Sequence, residues 1–213
     1  MQNEMQNTEN NKRIETFVDA VFAIAITLLI LDVKVPTHQQ LESQTLSYYL
    51  SHNWTNYASY ILSFFIIGIY WANHHKISKL YISADRTFII LHIIFLLTIC
   101  FLPYPTAILG DFFIDEKYRQ TATSFYTAGL LAPAFMWFMI WLYASNNHKL
   151  IPESITNIYI KKLNKQFMIT NIIYILSFIL SFFQPTIALS ISLLTTLFYL
   201  FELSYTKQEN SKK

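Results

Sequence analysis

The chain has 213 residues, of which 54% are hydrophobic and 17% aromatic, and only 13% are charged. Because a soluble domain carries about 25% charged residues, this composition predicts a polytopic membrane protein. The formal net charge of +2 comes from charges that are segregated along the chain, so no nucleic-acid partner is expected. The single cysteine, Cys100, excludes an internal disulfide framework.

Six apolar segments are bounded by polar or proline-containing turns, which predicts an all-α protein with six transmembrane helices. In chain order they are Thr16–Lys34, Tyr57–Asn73, Thr87–Leu109, Thr123–Ser145, Phe167–Phe183 and Pro185–Tyr205. No small-residue cleavage site follows the first segment, so we expect it to be retained. The predicted organisation is one transmembrane domain over residues 1–205 and a short cytoplasmic tail over residues 206–213.

Prolines and polar residues predict the shape of several turns. Pro103 and Pro105 predict a kink near the outer end of the third segment, and Pro133 predicts another in the fourth. The pair Gln184-Pro185 predicts a tight hairpin between the last two segments. Residues 41–50 are predicted to form a short helix at the outer interface.

The lysines and arginines are unevenly distributed over the turns. With the N-terminus inside, Lys34, Lys117 and Arg119 lie on the outer side, and the other twelve of the 15 lysines and arginines lie on the inner side. Cytoplasmic turns of membrane proteins carry such an excess of positive charge. The sequence therefore predicts a multi-pass protein of the cell membrane with both termini in the cytoplasm.

The first segment has a face that is suited to line a pore. Ile24, Thr27 and Leu31 fall on one side of a helix, with Ala20 one turn below them. Several copies meeting along this side would form a tube with apolar rings and one ring of hydroxyls. An apolar ring gates by dewetting, and oxygen atoms can replace part of an ion's hydration shell. The alternative is packed core, with the Thr27 hydroxyl bonded to a carbonyl one turn back.

An acidic side chain, Asp19, lies about 100° around the helix from that face. An unpaired acid inside a membrane is unfavourable, so we expect partners within the subunit. Arg13 is one candidate, and the others cluster at the inner end of the second segment: Trp71, Asn73, His74 and His75. Asp19 is predicted to hold the pore wall in place, and direct contact with the ion is the alternative.

Three stretches carry a longer pattern. The first segment contains Arg13, Phe17-Val18-Asp19, the run from Val21 to Leu29, and Pro36. The others are Trp71-Ala72-Asn73-His74-His75 and Phe101-Leu102-Pro103-Tyr104-Pro105-Thr106. Together they resemble the transmembrane protein 175 family, the endolysosomal potassium channel family, in its bacterial six-helix branch. Val18 departs from the family, which usually has a serine there, and so a hydroxyl is lost from the inner polar network.

The resemblance implies a potassium-selective leak channel without a cofactor, a homotetramer in the lipid bilayer whose pore is lined by the first helix. The family lacks the T-V-G-Y-G filter of other potassium channels, and this chain has no such sequence. By position, Ile24 becomes the hydrophobic constriction, Thr27 the hydroxyl that contributes to potassium selectivity, and Leu31 the second apolar ring. No metal is implied beyond the permeating potassium ion.

Two other classes of function are alternatives to a channel. A secondary transporter or exchanger for a cation or small solute often shows repeats and charged sites at mid-membrane. Here no repeat appears, and His92 is the main candidate, either as a packing residue or as a proton relay. No enzyme activity is expected, because His74 and His75 are adjacent and no H-E-x-x-H is present.

Overall fold

A computed structural model describes residues 2–210 of the chain, with the side chains of residues 11–31 and 33–198. Over residues 2–210 the chain forms nine α-helices and no β-strand, as the all-α prediction requires. The helices are α1 (Gln2–Leu28), α2 (His38–Leu41), α3 (Leu46–His52), α4 (Trp54–Ser78), α5 (Arg86–Phe101), α6 (Pro103–Phe112), α7 (Arg119–Ser145), α8 (Asn157–Ser181) and α9 (Pro185–Asn210). The predicted tail therefore begins inside α9, and its last residues, 211–213, lie outside the described part.

Within the described residues, four helical stretches are long and apolar enough to cross a membrane. They are Asn11–Leu31, Arg86–Phe112, Arg119–His148 and Asn157–Ser181, and they match the first, third, fourth and fifth predicted segments. The second and sixth predicted segments are helical too, in α4 and α9. They are not among these four stretches, so six crossings remain a prediction.

The first segment does not remain α-helical to Lys34 as predicted. Its α-helix ends at Leu28, a 3₁₀ turn follows over Leu29–Asp32, and Val33 is extended. The β-branched Val35 and then Pro36 come next, and the residue before a proline avoids the α conformation. A 3₁₀ turn advances about 120° per residue and an α-helix about 100°, so Leu31 is rotated by about 60° from the position that the sequence predicted.

The third segment breaks where its prolines predict. Helix α5 ends at Phe101, and α6 begins at Pro103, a first-turn position where a missing N–H does no harm. Gly129 lets α6 lie close to α7, because a Cβ at this position would lie only 2.7 Å from Cγ of Pro105. Pro133, by contrast, lies inside α7 without ending it. The short helix predicted at 41–50 begins later, as α3 from Leu46, and α2 has ended by Leu41.

The core lies around α7, which packs against α5, α6, α8 and α9. Its largest fully buried side chains include Tyr126 and Trp141. The predicted hairpin joins α8 to α9 at Gln184-Pro185. The most extensive contacts of helix α1 are with α4, with α5 and with the 3₁₀ turn that follows it. These contacts leave much of its surface uncovered.

A polar cluster joins the turn before α5 to the end of α7 and the turn that follows α7. The Asp85 carboxylate accepts hydrogen bonds from the Phe88 N–H at 2.9 Å and from the Tyr143 hydroxyl at 2.6 Å. The Lys149 ammonium lies 3.1 Å from the same carboxylate. Burial alone would raise the pKa of Asp85, but the hydrogen bonds from Tyr143 and Phe88 and the charge of Lys149 outweigh it and lower the pKa.

This cluster predicts an acid-sensitive contribution to stability. A carboxylate with a lowered pKa stabilises the fold above its unfolded pKa, and this stabilisation is lost as the pH falls through the folded pKa. From about pH 5 to about pH 3, the melting temperature should therefore fall less steeply in Asp85→Asn than in the wild type. Thermal unfolding in detergent measures both slopes. Asp111→Asn, which removes an exposed carboxylate elsewhere, should keep the wild-type slope, and equal slopes in all three proteins would contradict the assignment.

Candidate functional site

Helix α1 is docked on the subunit through one apolar face. Val18 and Phe22 lie on this face, Leu29 continues it in the 3₁₀ turn that follows, and none of the three is more than 3% exposed. The Phe22 ring centroid lies 6.1 Å from those of both His74 on α4 and Phe95 on α5. Because burial of apolar side chains is favourable in proportion to their area, these contacts hold α1 against its two neighbours.

The other side of α1 is an exposed stripe, the set of its residues that no described part of the chain covers. Its members are Lys12, Arg13, Thr16, Phe17, Ala20, Ala23, Ile24, Thr27, Leu28, Ile30 and Leu31. Ile24 is 57% exposed and Leu31 73%. The stripe is therefore not packed against the part of this chain that the structure describes. Its large apolar side chains need a cover that the single chain does not supply.

The Thr27 hydroxyl is bonded to the backbone of its own helix, which is the bond that the packed-core alternative gave it. Its oxygen lies 2.9 Å from the Ala23 carbonyl and 3.0 Å from the Ile24 carbonyl. A hydroxyl has one hydrogen to donate and two lone pairs. With the hydrogen donated to a carbonyl, the exposed Thr27 oxygen retains acceptor capacity toward a cation on the stripe side.

Asp19 has a donor on α4. The Trp71 indole N–H donates to the Asp19 carboxylate at 3.0 Å, and the Trp71 ring stacks on His75 with centroids 5.8 Å apart. His75 Nδ1 lies 3.8 Å from the Glu15 carboxylate, which also accepts from the Ser78 hydroxyl at 2.8 Å. Two acids one turn apart on α1 thus meet polar groups one or two turns apart on α4.

The sequence analysis missed Glu15 and Ser78 in this network. The signal was present, since Glu15 and Asp19 are four residues apart and so lie on the same side of a helix. Ser78 was missed because it lies beyond the end of the predicted second segment, whereas α4 continues to that residue.

Arg13 and Asn73 are not brought to Asp19. Arg13 is exposed and lines a groove of about 420 Å³ between α1 and α5, together with Phe17, Ile89 and Ile93. The Asn73 amide donates to the Ile69 carbonyl of its own helix at 2.9 Å. Of the candidate partners that the sequence offered, the described contacts therefore pair Asp19 with Trp71 alone.

His74 and His92 lie together inside the subunit, each about 2% exposed. Their ring centroids are 5.4 Å apart, and His92 Nδ1 is 2.9 Å from the Phe88 carbonyl oxygen. His92 is thus a hydrogen-bonded packing residue. His74 stacks on Phe95 with centroids 5.9 Å apart. Among the residues whose side chains are described, no group of three acidic, histidine or cysteine side chains is placed to hold a metal.

A crevice separates the C-terminal half of α1 and its 3₁₀ turn from α4 and α6. Its volume is about 620 Å³, and its lining includes Ile24 and Leu28 of α1, Leu31 of the turn, Tyr60 of α4 and Tyr104 of α6. The exposed stripe is therefore accessible from its flank as well as along the helix axis.

The apolar helices and the uncovered first helix define a multi-pass membrane protein. A sequence model of the family described as endosomal/lysosomal potassium channel TMEM175 matches residues 13–103. A potassium channel from Chamaesiphon minutus is 32% identical over 187 residues, 88% of this chain and 92% of that protein. A potassium channel from Streptomyces collinus is 31% identical over 187 residues, 88% of this chain and 90% of that protein.

A solved structure agrees with these sequence relatives. The crystal structure of a lysosomal potassium-selective channel TMEM175 homolog from Chamaesiphon minutus superposes with a TM-score of 0.79 at 30% identity. The superposition covers 92% of this chain and 98% of that one. The chain belongs to the TMEM175 family, a family of ion channels.

The bond from Trp71 to Asp19 predicts a structural role that can be tested separately from permeation. Trp71→Phe deletes the indole N–H, and Asp19→Asn removes the charge. Each should lower the fraction of the detergent-stable oligomer that the family resemblance implies, measured by size-exclusion chromatography, because α1 loses a hydrogen bond to α4. Trp54→Phe, at a 57% exposed position, is the matched control and should behave as the wild type. An Asp19→Asn protein with normal assembly and altered ion preference would instead put Asp19 in the ion path.

Proposed function

We propose that the chain is a potassium-selective leak channel of the cell membrane, with a pore formed by the α1 helices of several identical subunits. The observation that carries this proposal is the exposed stripe of α1, which presents the Thr27 oxygen between apolar side chains. The names of the two bacterial relatives support potassium as the ion. Both termini are proposed to be cytoplasmic, on the distribution of positive charge.

The proposed assembly rests on the same stripe. One helix cannot enclose a pore, so a stripe that lines one must meet the same stripe of identical subunits around a symmetry axis. The family resemblance favours a homotetramer with six helices per subunit. In such an assembly, the crevice beside the C-terminal half of α1 offers surface to a neighbouring subunit, while the apolar outsides of the other helices meet lipid.

Conduction through this pore is proposed to depend on dewetting and on partial dehydration. A narrow ring of Ile24 side chains excludes water until an ion passes, and the Thr27 oxygens one turn further out replace part of the lost hydration shell. Potassium holds its shell less tightly than sodium, because its radius is larger. A short apolar passage with few oxygens therefore favours potassium, without a T-V-G-Y-G filter.

A secondary transporter for a cation or small solute is the competing function. Flux into liposomes that contain the purified protein distinguishes the two. A leak channel dissipates a potassium gradient faster than a sodium gradient and needs no second solute. Flux that requires a coupled gradient would contradict the channel proposal.

The Thr27 ring predicts a specific change in selectivity. Thr27→Val keeps the shape and deletes the oxygen, and Thr27→Ser keeps the oxygen, so Val should reduce the potassium preference and Ser should largely retain it. A tenfold change in discrimination corresponds to about 1.4 kcal/mol, so reversal potentials under bi-ionic conditions are a sensitive readout. Thr98→Val removes a hydroxyl with a similar backbone bond from α5 and should leave the reversal potential unchanged. A wild-type reversal potential in Thr27→Val would place selectivity elsewhere.

The constriction predicts a change in conductance. Ile24→Asn should wet the narrow apolar ring, and so increase the single-channel current at a fixed voltage in planar bilayers. Ile61→Asn places the same amide at a 51% exposed isoleucine of α4, away from the stripe, and should not raise the current. If the Ile24→Asn channel assembles normally and conducts as the wild type does, the constriction lies at another residue.

A further inference from the structure

A small cavity with a mostly apolar lining and a few polar side chains lies inside the subunit, away from the exposed stripe. Its volume is about 20 Å³, and it is enclosed by helices α4, α7 and α8 with one residue of α9. The polar residues that line it include Asn73, Trp137, Asn171, Tyr174 and Thr196. One water molecule needs about 10–15 Å³ of such space and two to four polar partners, so the cavity has the size of a single water.

Two buried polar atoms of this lining have no hydrogen-bond partner among the described residues, the indole nitrogen of Trp137 and the side-chain oxygen of Asn171. The two residues are 5% and 6% exposed. The orientation of the Asn171 amide is well supported, because its nitrogen donates to the Phe167 carbonyl at 2.9 Å and to the Ala134 carbonyl at 3.4 Å. A reversed amide would turn its oxygen toward two carbonyls.

These two atoms do not bond to each other directly, but one molecule that both accepts and donates hydrogen bonds could satisfy both. The Trp137 nitrogen is only a donor, and the Asn171 oxygen is only an acceptor. We propose that the cavity is a binding site for one water molecule, which accepts from the Trp137 indole N–H and donates to the Asn171 side-chain oxygen. The Tyr174 hydroxyl lines the same cavity and lies 2.9 Å from Thr196 Oγ1, so it offers an acceptor for the second hydrogen of the water.

The chemistry of the lining excludes a potassium ion from this site. A cation in a protein is held by several oxygens at once, whereas an indole N–H presents the positive end of its dipole to the cavity. Water satisfies a donor and an acceptor together, which no monatomic cation can do. The bound water links Trp137 of α7 to Asn171 of α8, next to α4. The proposal of this water site does not depend on the proposed channel activity.

The chain's four tryptophans make a direct test possible. The full-length protein is labelled with ¹⁵N-tryptophan, and each indole N–H signal is assigned by its Trp→Phe variant. The Trp137 N–H should show a nuclear Overhauser cross-peak to a long-lived water. The Trp141 N–H is the matched control, because it is bonded directly to Asn164 at 2.7 Å on the same helix pair, and it should show none. Absence of the Trp137 cross-peak would contradict the water site. A cross-peak that is present in potassium but lost in sodium would contradict the statement that no cation binds there.

A double-mutant cycle tests whether Asn171 shares the water. Trp137→Phe and Asn171→Leu should each lower the melting temperature, and the double variant should lose less than the two losses added together, because each single variant already disrupts the same bridge. Trp141→Phe combined with Asn171→Leu should be additive. Additive losses for Trp137 and Asn171 would show that the two residues do not share a ligand.

Discussion

The rotation of α1 about its own axis is the constraint on which the rest of the structure depends. Val18 and Phe22 are buried against α4 and α5, and Asp19, between them in sequence, accepts the Trp71 indole N–H at the edge of that contact. A rotation by one residue, about 100°, would move an acid toward apolar side chains or toward lipid, both of which are unfavourable. The position of Thr27 on the uncovered side follows from this docking.

The two halves of helix α1 therefore differ in how firmly they are attached to the rest of the subunit. Its N-terminal half has acids and α4 partners that fix it to the subunit, at Glu15 with Ser78 and at Asp19 with Trp71. Its C-terminal half is flanked by a large crevice and is followed by a 3₁₀ turn. In the proposed channel, the firmly held half positions Ile24 and Thr27, whereas Leu31 lies in the turn and contributes a ring whose register differs from the one that the helical wheel predicts.

The sequence predicted the fold correctly where a local signal, such as a long apolar run or a proline, allows only one structure. Long apolar runs predicted the helices, Pro103 and Pro105 predicted the break between α5 and α6, and Gln184-Pro185 predicted the last hairpin. The periodicity of the first segment predicted that Ile24 and Thr27 share a side, and both are exposed.

The sequence was insufficient where several elements compete for one group. Asp19 had five candidate partners, and only the packing of α4 against α1 selects Trp71. The end of the first α-helix was placed too late, because the prediction followed the apolar run to Leu31 and gave too little weight to Val35 and Pro36 just beyond it. The bridge between Trp137 and Asn171 was not foreseen, since these residues are 34 positions apart and meet only in the folded bundle.

The central claim is that the exposed stripe of α1 lines the ion path, and cysteine accessibility tests it most directly. In a Cys100→Ala background, single cysteines replace each residue from Ala20 to Leu31, and a charged methanethiosulfonate reagent is applied during current recording. We expect rapid block at positions 24 and 27, and no block at positions 22 and 29, whose side chains are buried against the subunit. Block at positions 22 and 29, with none at 24 and 27 in conducting channels, would contradict the account.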